Sequence, residues 1–463
     1  MTAGIRGDRA PATWTLAYAG VTEPIPPVLS VLPALSVSSA LSVLPVLSVS
    51  ARMLPVRLNP FRALRPSPQH VSEVASVPYD VVNRDEAARL AAGKSRSFLH
   101  VGRSDIDLPP GTDPHDERVY AGARAALDRF RRDGTLMQDA EPVLYLYRLV
   151  RNGRAQTGVV GTVHVDDYEH NVILKHEKTR RDKEDDRTRH VLTLDANAEP
   201  VFLAVKPVAE FTRLAERVAS EAPLYDFTAD DGVRHIVWRI ADPHPWVTLF
   251  GTISVAYVAD GHHRSASAWR AGKELRAANP AHTGAEEYNW FLAVIFPSDE
   301  LLILPYNRLV ADLNGMTEAQ FLDRLRQVGV LAACDGAPEP GPGSVGVFTG
   351  GHWYRLDFPP GSIPAGDPIG SLDVSLVQDR ILTPVLGVGD PRTDPRLDFV
   401  GGGRGAEALE RRVRNGDAAA AFLLHATSMD QLMAVSDAGL VMPPKSTWFE
   451  PKLRSGLFVH LLG

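Results

Sequence analysis

The chain has 463 residues, 44% of them hydrophobic and 23% charged, the composition of an ordinary globular protein with room for about two or three domains. Lysine and arginine total 49 against 56 acidic residues, a formal net charge of −7, which argues against a general nucleic-acid coat. The single cysteine, Cys334, excludes an internal disulfide and a thiolate zinc cluster, and points to a cytoplasmic protein.

Residues 25–51 repeat Leu-Ser-Val-Leu-Pro (Leu29 to Pro33, Leu41 to Pro45). Serines and prolines interrupt any helix there, and no basic segment directly precedes an unbroken apolar core. Residues 1–53 therefore read as a low-complexity, disordered leader without a membrane span, and Met53 would serve as an alternative first residue. Order is expected from Leu54. An edge strand is expected over 60–66 and an extended piece over 77–82. Asn83 and Glu86 form a capping box for a helix through Ala91, and the apolar spacing of 120–132 predicts an amphipathic helix. Asn152-Gly153 between two β-rich runs, 143–150 and 156–165, is a strong hairpin signal. Further strands are expected over 201–205, 233–240, 252–258 and 290–295, with helices over 208–221 and 265–278.

Strands succeed one another without regular βαβ alternation, so the main domain, residues 54–335, is expected to be α+β with a mixed sheet core. Gly336 to Ser344 reads as a connector, or as a loop beside a hairpin closed by Gly350-Gly351. A smaller C-terminal α/β domain over 345–463 is expected to hold helices at 374–382, from 406 and at 429–438, and a buried strand at 420–424.

Three segments carry chemistry. In residues 175–190, Lys-His-Glu-Lys-Thr-Arg-Arg-Asp-Lys-Glu-Asp-Asp-Arg-Thr-Arg-His, twelve of sixteen positions are charged. On a helix, His176, Arg180, Lys183 and Arg187 would share one face and suit a phosphate; equally, the run reads as a solvated face laced with ion pairs. In Ala259-Asp260-Gly261-His262-His263-Arg264 an apolar strand ends at a carboxylate, and glycine turns the chain into a small-residue helix. Such a turn points free amides at an anion, and Asp260 suits Mg²⁺ or a proton. The alternative is a helix capped by Asp260 with a solvated basic first turn. His262 and His263 diverge on a helix and do not readily share one metal ion. In the tail, Met442-Pro443-Pro444-Lys445-Ser446-Thr447-Trp448-Phe449-Glu450-Pro451-Lys452 offers donors to an anion, or packs its aromatics on the core. Gly401-Gly402-Gly403-Arg404-Gly405 lacks the residues of a P-loop and the spacing of a dinucleotide turn.

Together with Pro60-Phe61-Arg62-Ala63, Val77-Pro78-Tyr79-Asp80-Val81-Val82 and Ser97-Phe98-Leu99-His100-Val101, these segments resemble the domain of unknown function 1015 family from about Leu54 to Leu462. The Asp-Gly-His-His-Arg turn is also similar to the nucleotide-phosphate motif of ParB-like and sulfiredoxin-like folds, a group that includes free serine kinases. That resemblance implies a ParB/sulfiredoxin-like element around the turn and an ATP- or ADP-dependent phosphotransferase, with free L-serine as the first acceptor. Its catalytic residues would be Glu177 as base (Glu184 in reserve), Asp260 and His262, with Mg²⁺ on Asp260. Arg180, Lys183, Arg187, Gly261, His263, Arg264, Lys445, Ser446 and Thr447 would hold the nucleotide. The rivals are a nucleotide-binding regulatory protein without turnover and a phosphatase or hydrolase of a phosphorylated metabolite. The implied partner is a small molecule, not nucleic acid or membrane; a homodimer stays open.

Overall fold

The alternation of large side chains along the central strands sends successive residues to opposite faces, and both faces are buried. Leu144 and Leu146 enter one hydrophobic core, Tyr145, Tyr147 and Leu149 the other. Phe291, Ala293 and Ile295 divide from Leu292, Val294 and Phe296 in the same way. In the computed structural model, which describes residues 54–463, these strands form a nine-stranded mixed sheet. The expected leader and Met53 lie outside the described residues.

The strands of this sheet are β1 (Leu58–Asn59), β2 (Leu144–Arg151), β3 (Arg154–His164), β4 (Ile173–Leu174), β5 (Val201–Val205), β6 (Tyr225–Thr228), β7 (Arg234–Ile240), β8 (Ala256–Asp260) and β9 (Trp290–Pro297). Their order is β4-β8-β5-β9-β3-β2-β7-β6, with β1 paired to β3. β8 runs parallel to β4 and β9 parallel to β5; the other pairs are antiparallel. Asn152 and Gly153 close the β2–β3 hairpin with φ of 50° and 76°, the pair of positive values that a two-residue turn of this hand requires.

Four helices matter to the first sheet: α1 (Glu117–Arg132), α2 (Arg181–Leu194), α3 (Ala209–Ala219) and α4 (His262–Ala278). α4 packs along α2 through small residues, and Ser265, Ser267 and Ala271 are buried. At Gly272 a side chain would meet the Tyr288 carbonyl at 2.6 Å. α2 begins only at Arg181, with Arg180 at its N-cap in extended conformation. The expected helical stripe from His176 to Arg187 is therefore broken. Leu174 is still pairing with Tyr257 in β8, and the His176 carbonyl accepts from Met442 N–H at 2.8 Å, so residues 175–180 cross between elements as a loop. Residues 77–82, expected to be extended, instead make a 3-10 turn at Tyr79–Val81.

A second, six-stranded sheet contains β10 (Tyr306–Val310), β11 (Val330–Cys334), β12 (Ser344–Thr349), β13 (His352–Asp357), β14 (Leu397–Gly401) and β15 (Ala420–Leu424), in the order β11-β13-β12-β15-β10-β14. Helices α5 (Glu318–Val328), α6 (Gly405–Arg414) and α7 (Met429–Asp437) accompany it. The Gly/Pro stretch at 336–344 joins two strands that both pair with β13, so it is a loop within this sheet and not a boundary between 335 and 345. One hydrophobic core runs from Tyr145 and Phe296 of the first sheet to Val347 and Phe422 of the second, and the described residues form one compact unit. Among the described residues, no helix is long and apolar enough to cross a membrane.

Candidate functional site

β8 ends at Asp260, Gly261 adopts φ +94° and α4 starts at His262. Glycine is needed here twice over. The dihedral disfavours any L side chain, and a Cβ would fall 3.1 Å from Arg264 Nε, because Arg264 folds back beneath the turn. The first intrahelical bond at this end is Ser265 N–H to Gly261 O, which leaves the amides of His262, His263 and Arg264 ahead of the helical ladder.

Asp260 is the hub beneath these amides. Its Oδ2 accepts from Lys452 Nζ at 3.2 Å and from Arg264 at 3.2 Å. Burial by itself would raise its pKa, but Lys452 and Arg264 hold the carboxylate far below the usual range. Lys452 is seated over the Trp448 ring at 4.9 Å, so the tail loop reaches the turn directly. Arg264 also donates to the Pro200 carbonyl and to Asp80, at 3.3 Å. Burial opposes its charge, yet Asp80, Asp260 and Glu199 together raise its pKa.

On the other side of the turn lie His176, Glu177 and His262. The two imidazoles meet edge to face with centroids 4.4 Å apart, and His262 Nδ1 stands 3.8 Å from Glu177 Oε2. Burial drives both rings neutral, His176 down to about 4 and His262 well below its ordinary value. Neither ring nitrogen of His176 and not His262 Nε2 has a hydrogen-bond partner of good geometry. The Glu177 side chain keeps 44% of its surface open; partial desolvation nudges its carboxyl upward, opposed by Lys445 and reinforced by Asp260. Lys445 comes from the tail, where its φ is +57° and its Nζ sits 5.2 Å over the Tyr306 ring.

The expected site residues thus divide. Glu177, Asp260, Gly261, His262, Arg264 and Lys445 gather around one turn. His263 leaves it, as diverging neighbours on a helix must, and its Nε2 accepts from Arg180 N–H at 3.1 Å. The Arg180 side chain is exposed and chelates Asp182, and Lys183 is exposed. Neither is aimed at the turn, because the loop at 175–180 delays the helix and rotates its face. Arg187 does turn inward and stacks over Tyr79 at 4.4 Å. Ser446 is buried with its hydroxyl on the Pro443 carbonyl, and Thr447 is partly buried beside it. The reserve acid Glu184 is engaged by Thr179 and Arg270.

The donor set does not fit the Mg²⁺ expected on Asp260. Two cations already neutralise that carboxylate, and among the described residues no three His, Cys, Asp or Glu side chains are placed to hold a metal ion. Sequence reasoning missed Asp80, Glu199 and Tyr306. Asp80 stands in the Val-Pro-Tyr-Asp segment, and Glu199 directly precedes Pro200, the only local signals either one offers.

The family model described as protein of unknown function (DUF1015) matches residues 58–375. The chain belongs to this family. No curated protein matches it. Among solved structures it is similar to a free serine kinase in complex with AMP, at 14% identity and a TM-score of 0.33 over 65% of this chain and 91% of that one. A conserved hypothetical protein from Pyrococcus furiosus is 13% identical, with a TM-score of 0.33 over 65% of this chain and 95% of that one. SbnI with C-terminal truncation from Staphylococcus aureus is 13% identical, with a TM-score of 0.35 over 65% and 87%.

Proposed function

We propose that this member of the family transfers a phosphoryl group from ATP or ADP to a hydroxyl of a small metabolite, with free L-serine the first acceptor to test. The observation that carries this is the meeting of the Glu177 carboxylate with the amides ahead of the α4 ladder and two lysines of the tail loop. Phosphoryl transfer asks little covalent work of a protein; it needs positioned charge and a base. The amides of His262 to Arg264 receive phosphate oxygens, as helix N-termini do. Lys445 and Lys452 supply positive charge, and a phosphate that draws Lys452 releases it from Asp260. Glu177 accepts the acceptor's hydroxyl proton, as a carboxylate positioned beside the turn can. The acceptor oxygen bonds to phosphorus as the phosphoanhydride bond breaks, and the shortened nucleotide leaves. His262, neutral and with a buried, unpartnered Nε2, would hydrogen-bond the reacting groups.

The similarity of Asp-Gly-His-His-Arg to nucleotide-phosphate motifs supports the same assignment. The test is ³¹P NMR of the purified protein with ATP or ADP and a panel of hydroxylated amino acids, with and without Mg²⁺. A new phosphomonoester signal is expected. Unreacted nucleotide across the whole panel overturns the proposal, and thermal stabilisation by nucleotide without product favours a regulatory protein without turnover.

A further inference from the structure

Beneath the turn, on the side away from Glu177, lies a small chamber of about 40 Å³ lined by Tyr79, Arg187, His190, Asn197, Glu199 and Arg264 together with apolar side chains. Two polar atoms of its wall are buried without a partner: Glu199 Oε2, an acceptor, and Arg264 Nε, a donor. Ordered water needs about 10–15 Å³ per molecule and two or more polar partners, so the chamber has room for water between these two atoms. Glu199 is pressed in closely. A side chain at Gly102 would meet its Oε1 at 2.8 Å.

We propose that Glu199 exchanges a proton through this chamber and is a positioning residue for Arg264, setting how firmly that guanidinium is held for Asp260. The link to a ligand on the turn rests on the function proposed above; the proton exchange does not.

The charged and polar groups around Glu199 come from several elements. Arg187 faces it from α2, Arg264 from α4, Tyr79 and Asp80 from the 3-10 turn, and Ser455 from the tail. His190 of α2 lines the same chamber, but burial pushes it down to about 3 and its Nε2 lies against the Val101 carbonyl, so it is neutral throughout the relevant range. Burial pushes the Glu199 carboxyl up to about 7, with Asp80 adding to the rise and the two arginines opposing it. Protonated, Glu199 leaves Arg264 to Asp260 and Asp80. Ionised, it draws Arg264 inward and places a negative charge beneath the phosphate-binding amides.

The sign for stability follows. A free glutamate titrates near about 4.3, so between there and about 7 the folded protein binds the extra proton. The contribution is fully present below about 4.3 and is lost as pH rises through about 7.

Difference infrared spectroscopy from pH 5 to 9 on wild type and Glu199→Gln tests the exchange. A buried carboxylic-acid band present at pH 5, fading through pH 7 and missing from the variant, is expected. Identical spectra from the two proteins overturn the proposal. Should Glu199→Gln fail to fold, Arg187→Gln serves instead: losing one facing cation must carry the band to higher pH, and an unmoved band overturns the proposal. Calorimetry with ADP at pH 6 and pH 8 then reads the link to the turn. Wild-type affinity is expected to fall several-fold more than that of Glu199→Gln, and an equal fall in both removes the positioning role. If ADP binds neither protein, the proposed function fails while the infrared result still decides Glu199.

Discussion

Among the described residues, a strand ends and glycine starts a helix at Asp260-Gly261, between β8 and α4, and at Gly401 to Gly405, between β14 and α6. They look alike locally, yet their glycines do different work. Gly261 and, in the second turn, Gly405 both take a positive φ, but only Gly261 gives way to a buried arginine. Gly401 and Gly402 instead let backbone press onto neighbours, since a Cβ would meet Trp448 at 2.9 Å and the Pro305 carbonyl at 2.7 Å. Around the first turn, buried polar atoms lack partners and lysines converge from the tail; around the second, Trp448 Nε1 is satisfied by Glu450 and Arg404 is exposed. On the proposed function, the first turn takes a ligand because buried hydrogen-bonding groups around it lack partners.

Substitutions can break this contrast. The largest effect is expected from Glu177→Gln, which should lower turnover about 10²–10⁴-fold while thermal stabilisation by nucleotide is kept. Full activity in that variant would move the base elsewhere. Asp260→Ala strips one of two carboxylates from Arg264, which is buried and keeps Asp80, and the counter-ion from Lys452; it should cost on the order of 3 kcal/mol in urea unfolding as well as nucleotide affinity. Gly261→Ala and Gly402→Ala form a matched pair. Each should lose about 1–2 kcal/mol, the first to backbone strain and the second to overpacking, but only Gly261→Ala should weaken nucleotide binding. Equal weakening by both would erase the difference between the turns.

Acid sharpens the contrast more gently. His176 is held neutral down to about 4 and unfolded histidine titrates near about 6.5, so its contribution is present above about 6.5 and lost as pH falls through about 4. Wild-type urea midpoints should therefore fall over that window, and His176→Gln should flatten part of the fall. The smallest effects belong to Arg180→Ala and Lys183→Ala. Both side chains are exposed, so stability should change by less than about 0.5 kcal/mol with nucleotide affinity unmoved. A tenfold loss of affinity in either would extend the site onto the solvent face of α2.

Much of the fold was legible beforehand because it follows from local chemistry. Asn83 and Glu86 exchange the two bonds of a capping box, Asn152-Gly153 closes its hairpin, and the strands at 201–205 and 290–297 form where apolar runs at 201–205 and 290–295 place them. The site was legible in part. The charged run, the Asp260 turn and the tail read as chemistry-bearing, but the shared helical face that would join His176 to Arg187 does not form. Nothing local foretold that Met442 would hold the His176 backbone outside the helix. Glu199 was invisible because a lone glutamate before a proline resembles any loop acid.

By itself, the amino-acid order determined element types, the hairpin, the glycine at the turn and the family, since capping, positive φ and side-chain period act within a few residues. Tertiary structure alone decided which charges are free. Lys452 lies 192 positions from Asp260 and Arg264 lies 184 from Asp80, and only chain folding brings such groups within 3.3 Å. Burial then neutralises His176 and His262, raises Glu199 and turns Arg180 and Lys183 toward water. Desolvation depends on what packs around a group, and sequence neighbours do not supply that.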